Sequence, residues 1–351
     1  MVEGNLCLRG PFHTNVMVWN TCADLTNVLS IATSADGTKL AAITSYGVFI
    51  SNNSGVSWIK SVEGLPASTI GGWYSIASSA DGSNLIATSS TGIYSSNNGG
   101  ISWTLRNAGV SGFTPQMNFS SLAMTYSGAF VAVIDSSPGG GIYTSKDGGA
   151  SFTLAPGSII LGGDTWVSVT TSADGMKLAA IATTHGVYTS WDAGVTWTMQ
   201  TQGLPQNSSV NWLTIASSSD GSRIVVAGAA VYVSASSGTS WVLAPGTSTN
   251  SRALWGLAAM SASGLALVGI QGSTLYLSSD GGASWNQPLD PLLAGAKFNP
   301  VAAISETGTV VVATDYSGGI YISRDSGVSW TPPSSLNSSS VSSSLSSKSY
   351  G

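Results

Sequence analysis

The feature that most narrows the folding choices of this chain is an eight-residue pattern, S-x-D-x-G-x-S/T-W or a near variant, that returns seven times between Ser51 and Trp330. The copies read SNNSGVSW from Ser51, SNNGGISW from Ser96, SKDGGASF from Ser145, SWDAGVTW from Ser190, SASSGTSW from Ser234, SSDGGASW from Ser278 and SRDSGVSW from Ser323. A period of this kind overrides the prior that 351 residues form two or three domains. A unit that cannot bury its own apolar faces is stabilised only by stacking on its neighbours. Within each copy a short polar side chain at the third position can bond backbone N–H groups of a turn, the glycine permits positive φ, and the aromatic can plug the layer beneath. The third position is Asp147, Asp192, Asp280 and Asp325 in four copies but Asn53, Asn98 and Ser236 in the others, a drift that suits a turn and not a catalyst.

A second turn signal precedes each copy by about seventeen residues: SADG around Asp36, Asp81 and Asp174, SSDG around Asp220, and weaker forms at Ser127, Ser263 and Thr307. Between the two signals lie short apolar runs such as LAAIT, LIATS, LAAIA and TVVVAT, then a G-x-Y/F segment, so each unit reads as four strands. Eight positions before each turn stand Val28, Trp73, Phe119, Trp166, Trp212, Trp255 and Asn299, a column aromatic in five of seven units. Units start near residues 28, 73, 119, 166, 212, 254 and 300, a spacing that matches one blade of a propeller. The expected fold is all-β: a seven-bladed β-propeller of four-stranded antiparallel blades over residues 28–333. Residues 1–27 precede the first unit, and their VMVW stretch (Val16 to Trp19) is expected to supply a closing outer strand, because two prolines after Trp330 shorten the last one. Residues 334–351 are a Ser-rich linker or tail with almost nothing to bury.

Charged residues are 8% of the chain and its eleven Lys plus Arg are scattered, so no basic stripe exists to neutralise a nucleic-acid backbone. No apolar run approaches the ~18 residues of a membrane span, and the first residues lack the hydrophobic core of a signal peptide. Cys7 and Cys22 are the only cysteines, and a disulfide, two buried thiols, or bonds to other chains are all open readings. Sequons at Asn52, Asn118, Asn207 and Asn337 and the charge-poor, Gly/Ser-rich composition favour a secreted or cell-surface setting. His13 and His185 are the only histidines, and no cluster has the spacing of metal ligands, so neither metal nor cofactor is expected.

The seven copies resemble the Asp-box, or BNR, repeat of the sialidase-like propeller superfamily, and the resemblance covers nearly all of the chain from Val28 to Pro333. Sialidases of that superfamily grip a carboxylate with three arginines. Here the arginines are Arg9, Arg106, Arg223, Arg252 and Arg324, and Arg223 and Arg324 fall in turns of the opposite face, so that activity is not expected. Xyloglucan-degrading hydrolases also carry Asp-boxes on two facing propellers with carboxylates across the cleft; only one propeller is present here. The chain also resembles the seven-bladed photosystem II assembly factor in blade number and box pattern, without that factor's arginine patch.

In such a propeller the ligand face is the one opposite the boxes. Its available acids are Asp135, Asp164, Asp290 and Asp315, the candidates for a hydrolytic pair. Tyr46, His185 and Gln271 lie in the same group of turns. Trp73, Trp166, Trp212 and Trp255 are candidate sugar platforms, with packing between blades as the competing role. The absence of a convergent acid, base and nucleophile set makes a non-catalytic recognition or structural module the leading expectation, with a protein or glycan as partner. A carbohydrate-active enzyme using those four acids is the alternative.

Overall fold

The computed structural model describes residues 28–66, 72–107, 110, 114, 117–158, 164–183, 186–205, 211–247, 254–316 and 319–331. The expected closing strand at Val16 to Trp19, both cysteines, both histidines and the Ser-rich tail lie outside them. Seven antiparallel sheets follow one another along the chain, each a simple meander. In blade 1 the innermost strand Val28–Thr33 pairs with Leu40–Thr44, that strand with Gly47–Ser51, and that one with the outer strand Ile59–Ser61.

The second strands Leu40–Thr44, Leu85–Ser89, Val131–Asp135, Leu178–Ala182 and Val311–Asp315 are buried at every residue. Each blade is covered on both faces by its neighbours, which is why these strands read as unbroken apolar runs instead of alternating ones. Seven apolar clusters fill the seven seams, and each draws on two adjacent blades. One of them joins Leu40, Phe49 and Trp58 of blade 1 to Val312, Ile320 and Ile322 of blade 7, so the ring is closed by packing between the first blade and the last.

Five sheets have four strands. In blade 6 the outer strand shrinks to one antiparallel bridge, Leu277 with Asn286, and in blade 7 the described residues end at the bridge of Ile322 with Thr331. The cause is a single position, three residues after the box aromatic. In blades 2, 3 and 5 the residue there, Arg106, Ala155 or Ala244, donates its N–H to the third strand at Ile93, Ile142 or Val231, at 2.8, 2.8 and 2.9 Å. Ser61 and Gln200 occupy it in blades 1 and 4 and pair with Val48 and Val187. The equivalent residue of blade 6 is Pro288, which has no N–H to give; Pro333, its counterpart in blade 7, lies outside the described residues.

The aromatic column is found with one correction. Six tilted or edge-on ring pairs recur within the blades: Trp73 with Tyr94, Phe119 with Tyr143, Trp166 with Tyr188, Trp212 with Tyr232, Trp255 with Tyr276 and Phe298 with Tyr321, at 5.0–6.0 Å between centroids. Blade 7 therefore contributes Phe298 and not the expected Asn299. Its innermost strand, Phe298–Ile304, shifts register between Phe298 and Ala302, which defeats a fixed count back from the turn.

Candidate functional site

In a meander the first-to-second and third-to-fourth turns share one face of the disc, here called the lower face, and the second-to-third turns and the inter-blade loops share the upper. The box is the lower-face turn before the outer strand. In blade 3, Ser145 donates to Asp147 Oδ1 at 2.7 Å and accepts from the Gly149 N–H at 2.8 Å, while Asp147 accepts from the N–H and hydroxyl of Ser151 at 2.9 and 2.5 Å. Asn53 keeps the scheme in blade 1, accepting from the Ser57 N–H at 2.9 Å and turning its amide donor to the Ser57 hydroxyl at 2.8 Å. Ser236 does the same in blade 5, taking the Ser240 N–H at 3.0 Å. Every box therefore needs only a short acceptor, and the carboxylates are structural.

The chain bends back at the fourth box residue. Ser54, Ala193, Ser237 and Ser326 hold φ of 52–61° there, the left-handed region that costs an L side chain about 1–2 kcal/mol. The next residue, a glycine in all seven copies, presses on the preceding blade: a Cβ on Gly327 would stand 2.0 Å from Leu277 Cδ1, and one on Gly55 2.6 Å from Ile322 Cδ1.

The other lower-face turns are built alike. Asp36 accepts from the Ser34 hydroxyl at 2.6 Å and from the Thr38 N–H at 2.9 Å, and bonds from these two residues hold its carboxyl at about 2. Ser79 and Ser83 hold Asp81 at about 2 in the same way, and Ser218 and Ser222 hold Asp220 there. Backbone bonds then link turn to turn around the axis in two arcs. Ala35 donates to Ala80 and Ala80 to Tyr126; Ala173 donates to Ser219, Ser219 to Ala262 and Ala262 to Glu306. The small residues of this ring, Ala35, Ala80, Ala173, Ser219 and Ala262, are interrupted by Tyr126 and Glu306 alone.

The four candidate acids are all bonded to backbone, but they do not share one face: Asp135, Asp164 and Asp315 lie at the upper ends of inner strands, whereas Asp290, expected there too, lies against the lower-face box of blade 7 at Trp330. Asp135 and Asp315, buried at the ends of second strands, cap the turns that follow. Asp135 Oδ1 accepts from the N–H groups of Asn118 and Ser137 at 2.9 and 3.0 Å. Asp315 accepts from the Gly319 N–H at 2.7 Å and from the Tyr321 hydroxyl at 3.1 Å. Thr44 and Ser89 cap the equivalent turns of blades 1 and 2 with hydroxyls, accepting from Tyr46 and Thr91 at 3.0 and 3.1 Å. Asp164, also buried, accepts from the Thr165 N–H at 2.9 Å and from the Thr183 hydroxyl. Asp290 caps the short 3-10 turn Pro291–Leu293 through Leu292 and reaches blade 7 at the Trp330 N–H, 2.7 Å away. In these contacts none of the four shares a bonding partner with another. Burial, with the Asp315 carboxylate adding to it, raises the Tyr321 phenol to about 12.

Trp73, Trp166 and Trp255 are 2% exposed and Trp212 6%, each with a tyrosine against its ring. The faces that would stack on a sugar are taken up by the protein itself. Among the described residues the most exposed tryptophan is Trp191, 54% exposed, at the second residue of the blade 4 box, where sequence reasoning saw only a variable position. Comparing the seven copies position by position is the signal that picks it out, as it picks out Tyr126 and Glu306.

Among the described residues no group of three His, Cys, Asp or Glu side chains could hold a metal ion, and no helix is long and apolar enough to cross a membrane.

Seven antiparallel blades closed about an axis define a seven-bladed β-propeller. No protein-family model matches the chain, and no curated protein sequence matches it. Among solved structures it is similar to an ancestral GH74 enzyme, at 17% identity and a TM-score of 0.65 over 88% of this chain and 46% of that one. It therefore spans less than half the length of that enzyme. It is also similar to YCF48 from Cyanidioschyzon merolae, at 15% identity and a TM-score of 0.63 over 87% of this chain and 97% of that one. A third similar structure is YCF48 bound to D1 peptide, at 17% identity and a TM-score of 0.53 over 74% and 81% of the two chains. At such identities the likeness is one of fold.

Proposed function

We propose that this chain is a non-catalytic recognition or structural propeller of the Asp-box kind, binding a protein or a glycan in a secreted or cell-surface assembly. The observation that carries this reading is the bonding of Asp135, Asp164, Asp290 and Asp315: each carboxylate accepts from backbone N–H groups that hold a loop, and hydroxyls do the same work in other blades. A glycoside hydrolase needs two carboxyl groups facing one substrate, one of them poised to donate a proton. Here each of the four carboxylates holds its own stretch of backbone, and the bonds shown bring no two of them onto a common partner. YCF48 bound to D1 peptide supports a peptide or protein as the partner, since it is a propeller of comparable extent that engages one.

The second reading, a carbohydrate-active enzyme, is favoured by the ancestral GH74 enzyme, with the reservation of length: this chain covers 46% of it. Both readings are tested by incubating the purified chain with a panel of plant and microbial polysaccharides and assaying new reducing ends, alongside a glycan array. Release of reducing ends that is abolished by Asp135→Asn or Asp315→Asn overturns the non-catalytic reading. Saturable glycan binding without release supports it, and a silent panel with a blank array narrows the partner to protein.

A further inference from the structure

The lower face departs from its own sevenfold pattern at one place. Three positions are exposed or half-buried in every blade: the residue after the glycine of the first turn, and the second and sixth residues of the box. In blade 1 they are Thr38, Asn52 and Val56; in blade 5, Ser222, Ala235 and Thr239; in blade 7, Thr309, Arg324 and Val328. Other blades place at most one large apolar side chain among the three. Blade 4 places Met176, Trp191 and Val195 there, exposed by 47%, 54% and 49%. The group is held as a unit, because the Ala193 N–H donates to the Met176 carbonyl at 2.9 Å. Trp191 lies along the seam with blade 5, beside Leu178, Ser217, Gly221 and Ser237. The matching seam between blades 1 and 2 is built from the same frame, with Asn52 in place of the indole.

An exposed Trp, Met and Val on two hydrogen-bonded turns of one blade is the composition of a binding hot spot and not of a solvated turn. Its surroundings select the partner. Asp174 stands in the turn of Met176, Asp192 follows Trp191 in the chain, and Asp220 lies across the seam; serine and threonine bonds lower all three carboxyls. Lys177 is the ammonium within this group, and it is drawn into the seam, donating to the Asp220 carbonyl at 2.9 Å and reaching Ser237 at 3.4 Å. Lys146 is the cation of the blade 3 box and precedes Asp147 in the chain. Arg223 points away, toward Gly264 and Gly281 of blade 6.

We propose that Met176, Trp191 and Val195 form a docking patch on the lower face of blade 4 for a protein segment that pairs apolar anchors with lysine or arginine. The inference deepens the recognition reading above and rests on it, adding the site and the chemistry of the partner. Glycans fit the patch less well, since Met176 and Val195 offer no hydrogen bonds.

The test is a random-peptide display selection on the full immobilised chain, followed by affinity measurement on the wild type and on a double variant, Trp191→Asn with Met176→Thr. Both replacements are the residues blade 1 uses at these positions, so the turns keep their bonding, and a thermal melt checks the fold. The expected result is enrichment of peptides with an aromatic or long aliphatic residue next to Lys or Arg. They should lose roughly tenfold or more in affinity on the double variant. They should also weaken as salt is raised from about 0.05 to about 0.5 M. Enriched peptides that bind both proteins equally, or that are acidic, overturn the patch while leaving the recognition reading in place. Failure to enrich any peptide, with reducing ends released in the polysaccharide assay, overturns both. Self-association of the wild type, seen by sedimentation and abolished in the double variant, also overturns the proposal, because the patch then serves a second copy of this chain.

Discussion

The hydroxyl of Tyr126 donates to Glu306 Oε2 at 2.7 Å, joining two turns 180 residues apart in the chain. Tyr126 belongs to blade 3 and Glu306 to blade 7, which are not neighbours in the ring, so the bond crosses the axis at its lower mouth. It also joins the two arcs of backbone bonds at their ends: Tyr126 is the last acceptor of one arc and Glu306 the last of the other. The bond to Glu306 raises the Tyr126 phenol, with a smaller contribution from burial. A spectrophotometric titration should therefore show a high-titrating tyrosine that moves down in Glu306→Gln, the difference vanishing in a Tyr126→Phe background. An unchanged titration would mean that the strut does not form in solution.

The capping role assigned to Asp135 predicts a graded response. Asp135→Ala removes the acceptor shared by the N–H groups of Asn118 and Ser137 and should cost about 0.5–1.5 kcal/mol in urea unfolding. Asp135→Ser, which imitates Ser89 of blade 2, should recover most of that loss. Equal losses in the two variants would argue that the carboxylate does something a hydroxyl cannot.

Proline 288 is predicted to limit the outer strand of blade 6. Pro288→Ala restores an N–H facing the third strand at Leu275 and should add about 0.5–1.5 kcal/mol, with the new amide protected in hydrogen exchange. The mirror change, Ala244→Pro in blade 5, removes the 2.9 Å bond to Val231 and should destabilise the protein.

The box turns carry opposite expectations at adjacent residues. Ala193→Gly relieves a left-handed alanine (φ 58°) and should be neutral or stabilising by up to about 1 kcal/mol, strain relief being offset by chain entropy. Gly327→Ala adds a methyl 2.0 Å from Leu277 at φ 89° and should be clearly destabilising in a thermal melt.

Acid sensitivity follows from the lower-face turns. Serine and backbone bonds hold Asp36, Asp81, Asp220 and Asp280 at about 2, and in Asp147 they outweigh the opposing effect of burial to reach about 2 as well. An unfolded aspartate titrates near ~3.9. Between these values the folded chain binds fewer protons than the unfolded one, so this stabilisation is complete above about pH 4 and is lost as the pH falls toward about 2. Asp147→Asn, the choice already made at Asn53 and Asn98, should flatten the dependence of melting temperature on pH in that range.

Much of this architecture was legible in the chain because its determinants are local. The box closes on itself within eight residues, Ser145 to Asp147 to Ser151, so its pattern survives in any context and its period counts the blades. The short outer strand of blade 6 is written in Pro288, since a missing N–H is a property of one residue. Folding decided what depends on distance through space. Trp73, Trp166, Trp212 and Trp255 are interior because a tyrosine two strands away covers each ring, and Phe298 replaces Asn299 because a bulge alters the count. Asp290 is committed by an amide of the next blade, 40 residues on, and Tyr126 meets Glu306 only once the ring has closed. Local hydrogen bonds repeat with the sequence, whereas burial and the pairing of remote groups exist only after seven blades have packed against one another.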